Sequence, residues 1–169
     1  MVRVIVWLFS LSVAVSANAQ QPLKVYVKNG VTVKSYDFNE LAPLLNKQND
    51  TTYVVNFWAT WCKPCVEELP HFEKLHANFK DQKVKVLLVS LDLPKQVESN
   101  LIPYIRKKQL QSYVVHLGDP DMNSWINKVD PQWSGAIPAT IIYNGRKRKF
   151  YEQSFSYEQL QTELEKIKN

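Results

Sequence analysis

Apolar and polar residues alternate with a period of two in Lys24–Lys28 and again in Val31–Tyr36, with Asn29-Gly30 between them. Alternation marks half-buried strands, and Asn-Gly supplies the two positive-φ positions of a tight hairpin turn. Asp37, with Glu40 three residues later, resembles a capping box and predicts a helix over about 38–48. Thr52–Phe57 is short and largely apolar, a strand. After Cys62 the period changes. Val66, Leu69, Phe72, Leu75 and Phe79 recur at steps of three and four, the spacing of one face of an amphipathic helix. Val84–Leu91 is a nearly continuous apolar run, as expected of a strand covered on both faces. A helix over about 95–109, the strand Tyr113–Leu117 and a short irregular helical stretch containing Trp125 and Ile126 follow. Ala139–Tyr143 and Lys147–Tyr151 flank Asn144-Gly145 as a second hairpin, and a helix over about 157–167 ends the pattern.

Strands that alternate with helices and close in a hairpin imply an α/β fold, a mixed sheet with helices on both faces. No repeat, low-complexity tract or linker divides the chain. Residues 20–169 are therefore read as one domain, 20–50 holding the first hairpin and helix and 51–169 the core. A chain of 169 residues that is 45% hydrophobic and 22% charged can bury such a core without cross-links. The net charge of +5 is too modest to suggest nucleic acid. The densest basic run, Arg146–Lys149, follows a turn signal and is read as a solvated hairpin edge. Residues 1–19 read as an export signal. Arg3 precedes the apolar run Val4–Val15, and Ala17-Asn18-Ala19 has the small-x-small form of a cleavage site. That run is short of the roughly 20 residues a membrane span needs. An extracytoplasmic protein beginning at Gln20 is expected.

Both cysteines of the chain, Cys62 and Cys65, lie within one helical turn, directly after Trp61. A staple is a weak use for them, since a loop this small gains only about 2 kcal/mol against nearly 5 for a loop of 100. A structural zinc takes four ligands. His71 and His76, five apart on a helix, point in different directions, and His116 lies on a distant strand, so no metal site is expected. Redox chemistry suits the spacing. A thiol at the start of a helix faces unpaired N–H groups and the positive end of the dipole, which stabilise a thiolate. Lys63 adds a positive charge, and Pro64 sits in the first turn, where a missing N–H costs little. Cys65, one turn on, can attack a mixed disulfide at Cys62. Cys62 is expected to be exposed, Cys65 buried, and Trp61 to shield one side.

The segment VVNFWATWCKPCVEELPHF resembles the active-site stretch of the thioredoxin superfamily, and more closely that of the exported TlpA/ResA-like thiol-disulfide oxidoreductases. The shared features are an apolar strand, Phe57-Trp58-Ala59, then Trp61-Cys62-x-Pro64-Cys65, and Pro70 five residues on. SGAIPATIIYNG is a second match, with Pro138 in the position of the family's cis-proline, opposite the cysteines. The resemblance runs from about Thr52 to the C-terminus and makes the first hairpin the family's usual N-terminal addition. It covers no motif between about Asp119 and Ser134. It implies a thioredoxin-like mixed sheet flanked by helices, with an N-terminal β-hairpin addition. It also implies that Cys62, Cys65 and Glu68 carry the chemistry, while Trp61, Lys63, Pro64, Ile137 and Pro138 meet an extended substrate segment.

One departure is informative. Thioredoxins bury an aspartate two residues before the first tryptophan, as proton acceptor for the second cysteine. Asn56 stands there and cannot titrate. Glu68 lies three residues after Cys65 on the same helical face and is expected to take the role, as the resemblance to ResA-like proteins also implies. Glu67, about 100° round the helix, is expected to face solvent.

The resulting expectation is an exported thiol-disulfide oxidoreductase that reduces protein disulfides through a mixed disulfide at Cys62, resolved by Cys65. It would be a monomer without a cofactor. Its partners would be disulfide-containing or dithiol proteins, with a membrane electron donor, because exported proteins meet an oxidising compartment. Two rivals share the fold. A peroxiredoxin-like peroxidase would carry Thr-x-x-Cys, where this chain has Ala59-Thr60-Trp61-Cys62. A metallochaperone or binding module would favour Cys-x-x-x-Cys with a histidine, one residue longer than the spacing here.

Overall fold

Seven strands hydrogen-bond into one sheet within residues 21–168, the part of the chain that the computed structural model describes. The export signal expected at residues 1–19 lies outside the described residues. In chain order the strands are β1 (Lys24–Lys28), β2 (Val31–Tyr36), β3 (Thr52–Trp58), β4 (Val84–Ser90), β5 (Tyr113–Leu117), β6 (Ala139–Tyr143) and β7 (Arg148–Tyr151). Across the sheet the order is β1-β2-β5-β4-β3-β6-β7. The β2–β5, β5–β4 and β4–β3 pairings are parallel, and the two outer hairpins and the β3–β6 pairing are antiparallel. Asn29 and Gly30 take φ of 51° and 79°, the two left-handed positions that let β1 turn directly into β2. The expected thioredoxin-like mixed sheet with an added N-terminal hairpin is the observed one.

Helices cover both faces, which is what the parallel centre requires, since its strands have no solvent side. They are α1 (Phe38–Leu41), α2 (Lys63–Phe79), α3 (Ile102–Lys108), α4 (Met122–Val129) and α5 (Tyr157–Lys168). Every residue of β3 is buried, and alternation divides its side chains between two cores. Val54 and Trp58 join Leu69, Phe72 and Leu75 of α2, Ile105 of α3 and Leu160 of α5. Val55 and Phe57 join Phe38 of α1, Trp125 and Val129 of α4, and Trp133. Phe72 and Leu75 are fully buried, and each such side chain stabilises by roughly 2 kcal/mol.

Four elements depart from the sequence pattern. The helix expected over 38–48 ends at Leu41 and continues only as a 3-10 turn over Ala42–Leu45. Pro43 has no N–H to extend the helical ladder. The helix expected over 95–109 begins as a 3-10 turn at Pro94–Gln96, widens to a π turn over Val97–Leu101 and becomes regular only from Ile102. Pro103 accounts for this in the same way. The stretch around Trp125 is a regular helix, because Trp125 and Val129, four apart, are buried on one face. The last strand starts at Arg148, which is exposed like the rest of the basic run. Its guanidinium donates to the Leu45 and Val129 carbonyls at 2.8 and 3.0 Å, tying the hairpin to two helical segments.

Candidate active site

β3 ends at the edge of the sheet with its Trp58 carbonyl accepting the Leu91 N–H at 2.8 Å. The chain then reverses, the Cys62 N–H returning to the Ala59 carbonyl at 3.1 Å, and α2 begins with Cys62 as its N-cap. The Cys65 N–H points at Cys62 Sγ, 3.3 Å away. A sulfur in this position takes the place of a capping oxygen, and in the reduced protein the same N–H favours a thiolate. Cys62 and Cys65 are joined in a disulfide, their Cα atoms 5.3 Å apart. Cys65 is fully buried as expected. Cys62 is not the exposed thiol that was expected: it is only 6% exposed, with the Ile137 carbonyl oxygen 3.7 Å from its sulfur.

The Ile137-Pro138 peptide bond is cis and lies against the disulfide. The segment without a recognised motif supports it. Trp133, packed against Phe57 and Trp125, donates its indole N–H to the Ala136 carbonyl at 2.8 Å. Gly135 takes φ of 93°, and the Ser134 hydroxyl and N–H both bond the Glu152 carboxylate. Of the remaining residues expected to meet a substrate segment, Lys63 and Pro64 are exposed, Ile137 is half-buried and Pro138 buried. Trp61 stands 59% exposed beside the cysteines, where it packs into neither core.

Glu68 lies one turn after Cys65 and is 3% exposed. Its Oε1 accepts the Asn56 side-chain amide at 2.9 Å and its Oε2 accepts the Phe155 N–H at 2.8 Å. Burial nevertheless pushes the carboxyl up to about 7, the two donors only partly offsetting it. The same Asn56 amide reaches Thr140 Oγ1 at 3.1 Å, and Asn56 Oδ1 is buried without a partner. Glu67 is exposed, its Oε1 3.8 Å from Lys63 Nζ.

A second polar group went unread in the sequence. Asp92, after β4, is 2% exposed, and its carboxylate accepts the N–H and hydroxyl of Thr60 and the hydroxyl of Ser90. His116, fully buried, sets its Nε2 2.8 Å from the Asp92 carbonyl and its Nδ1 2.8 Å from Ser35 Oγ. A carbonyl can only accept, so Nε2 carries the ring proton and Nδ1 accepts from Ser35. Burial holds the imidazole below its usual value. The only local signal was a polar residue ending the apolar run Val84–Leu91, which any surface loop would show.

The site's geometry can be set beside known proteins. The model of the AhpC/TSA family matches residues 29–148. The chain belongs to that family. Within the curated proteins it is similar to the thiol-disulfide oxidoreductase ResA of Geobacillus thermodenitrificans, 29% identical over 117 residues, 68% of this chain and 62% of that protein. It is also similar to ResA of Halalkalibacterium halodurans, 30% identical over 90 residues, 53% of this chain and 46% of the relative. The matches thus span less than two thirds of either relative's length. Among solved structures, a thiol:disulfide interchange protein of the thioredoxin family from Chlorobium tepidum superposes with a TM-score of 0.61 at 16% identity, covering 89% of this chain and 98% of that one. This likeness speaks for the fold. The ResA/TlpA-like resemblance drawn from the cysteine motif is borne out.

Proposed function

We propose that the protein is an exported thiol-disulfide oxidoreductase that reduces disulfides in other proteins, residues 20–169 acting as a single monomeric domain. The observation that carries this reading is the Cys62–Cys65 disulfide at the N-cap of α2, beside the cis Ile137-Pro138 bond. Starting from the dithiol, the Cys62 thiolate attacks one sulfur of a partner disulfide. A Cys62–partner disulfide forms and the partner's other sulfur leaves as a thiolate. Cys65 then attacks the Cys62 sulfur, the Cys62–Cys65 bond forms, and the partner leaves with both its thiols reduced. Two electrons and two protons have passed to the partner, and an external dithiol, assigned here to a membrane protein, must restore the pair.

Glu68, neutral or charged near pH 7, takes the Cys65 proton and returns it. Trp61, Lys63 and Pro64 from one side, with Ile137 and Pro138 from the other, frame the extended partner segment. No cofactor is needed.

Cys65→Ser tests the order of steps. The variant lacks the only thiol able to release a partner from Cys62, so under non-reducing conditions it should carry proteins that dithiothreitol frees. Cys62→Ser should carry far fewer. A wild type inert towards insulin disulfides, with a Cys65→Ser variant that traps nothing, would remove the reading. Rapid peroxide consumption by that inert protein would put the peroxidase in its place.

A further inference from the structure

The steps above leave one buried carboxylate unused. Asp92 is bonded by neutral donors alone: Thr60 N–H at 3.1 and 3.3 Å to its two oxygens, the Thr60 hydroxyl, and Ser90 Oγ at 2.8 Å. None of the ion pairs among the described residues includes it. Its backbone is held as firmly, through the carbonyl by His116 and the N–H by Ser90 Oγ at 3.1 Å. A carboxyl group with no cationic partner among the described ion pairs is thus held against the turn that carries Cys62. Thr60 precedes Cys62 by two residues, so their Cα atoms are at most about 7 Å apart, and the carboxyl group bonded to the Thr60 N–H lies within about 15 Å of the thiol.

A like charge disfavours a thiolate, and in a protein dielectric a unit charge at about 10 Å changes the thiolate equilibrium by roughly tenfold. We propose that Asp92 is a positioning residue of the thiol pair: through Thr60 it fixes the Ala59–Trp61 turn, and its charge opposes the helix N-terminus at Cys62, keeping the pair a stronger reductant than the N-terminus alone would allow. The other titratable groups around the pair are Lys63, exposed and shared with Glu67, and Glu68, whose oxygens Asn56 and Phe155 occupy. His116 lies behind Asp92 and donates to its backbone. The inference rests on Cys62 being the attacking thiol of the proposed oxidoreductase, but its test needs no partner protein.

The full chain, reduced, is alkylated with iodoacetamide at pH 6 and the label at Cys62 is followed. In parallel the pair is equilibrated with glutathione of known ratio. Asp92→Asn should raise the Cys62 alkylation rate several-fold, up to about tenfold. It should also leave the pair half-reduced at a several-fold less reducing glutathione ratio. Asp92→Ser, neutral and shorter, carries the same expectation should the asparagine amide, aimed at the Thr60 N–H, prevent folding. Thr60→Val and Ser35→Ala cut hydrogen bonds of the same chain but keep the charge. They should lower Tm while changing the alkylation rate less than twofold.

Unchanged or slower alkylation in the Asp92 variants would overturn the proposal. So would a Thr60→Val variant that reproduces the whole Asp92→Asn shift, because turn geometry would then suffice. A protein that responds as expected yet reduces no insulin would sink the oxidoreductase reading and leave this one standing.

Discussion

Glu68 and Asp92 are two buried carboxyl groups on either side of the cysteine turn, and their surroundings differ in kind. Glu68 meets two N–H donors across α2, one from Asn56 and one from the Phe155 backbone. Two donors do not offset its burial, and the group is pushed up to about 7. Asp92 meets a backbone N–H and two hydroxyls, all within the loops at the sheet edge. Hydroxyls rotate to suit an acceptor, whereas the donors at Glu68 are fixed by β3 and by the segment before α5. The raised carboxyl suits the proton exchange proposed for Glu68, whereas Asp92 bonds the turn through Thr60. The lesson is that burial alone does not assign a role to a carboxyl group; the number and freedom of its donors do.

The harshest way to break this contrast is Glu68→Ala. It leaves the Phe155 N–H and one Asn56 amide proton without an acceptor in a buried site. Folding stability should fall by about 3 kcal/mol in urea unfolding. A loss below about 1 kcal/mol would show that water reaches the site and that Glu68 is not the buried group described.

Glu68→Gln sharpens the contrast through pH. The carboxyl has an ordinary value of 4.5 and about 7 in the fold, so between these the folded state holds a proton that the unfolded state has lost. Its contribution to stability is complete below about pH 4.5 and is lost as pH rises through 7, by roughly 2–3 kcal/mol. The glutamine variant lacks this loss. The difference in unfolding free energy between the two proteins, measured from pH 4.5 to 8, should therefore swing towards the variant by that amount. A flat difference would remove Glu68 as a proton carrier. Taking the difference cancels His116, whose lowered value acts in the opposite sense.

Glu67→Gln should do least. Its carboxylate is exposed and its ion pair with Lys63, at 3.8 Å, is solvated. Stability should move by less than about 0.5 kcal/mol and alkylation of Cys62 by less than twofold. Equal effects from the Glu67 and Glu68 variants would erase the distinction between the two neighbours.

Much of this site could be read along the chain. The step-of-three-and-four pattern placed α2 to within a residue, and Asn29-Gly30 placed the first hairpin. The proline before β6 was matched to its cis position opposite the cysteines. Other features were hidden because their partners are distant in sequence. Arg148 sits in a basic run that any exposed edge would show, and its carbonyl acceptor at Leu45 is 103 residues away. Asp92 reads as a loop residue until Thr60, 32 residues earlier, is folded against it. Cys62 heads a helix, which pointed to exposure, but the Ile137 loop, 75 residues on, stands over its sulfur. Pro43 and Pro103 were visible in the sequence, and each lies where the expected regular helix gives way to a 3-10 or π turn.

Residue order alone determined most of the strands, both hairpin turns, the helical start that receives Cys62 and the spacing that lets Cys65 reach it, because periodicity, capping and turn chemistry act over a few residues. Tertiary structure decided how the cysteines and carboxyls are solvated. Glu68 is raised by burial and only partly brought back by Asn56, 12 residues before it, and Phe155, 87 residues after it, which the fold brings to its oxygens. The free energy of a charge depends on every dipole and solvent-filled space around it, and those surroundings exist only once the sheet has brought distant segments together.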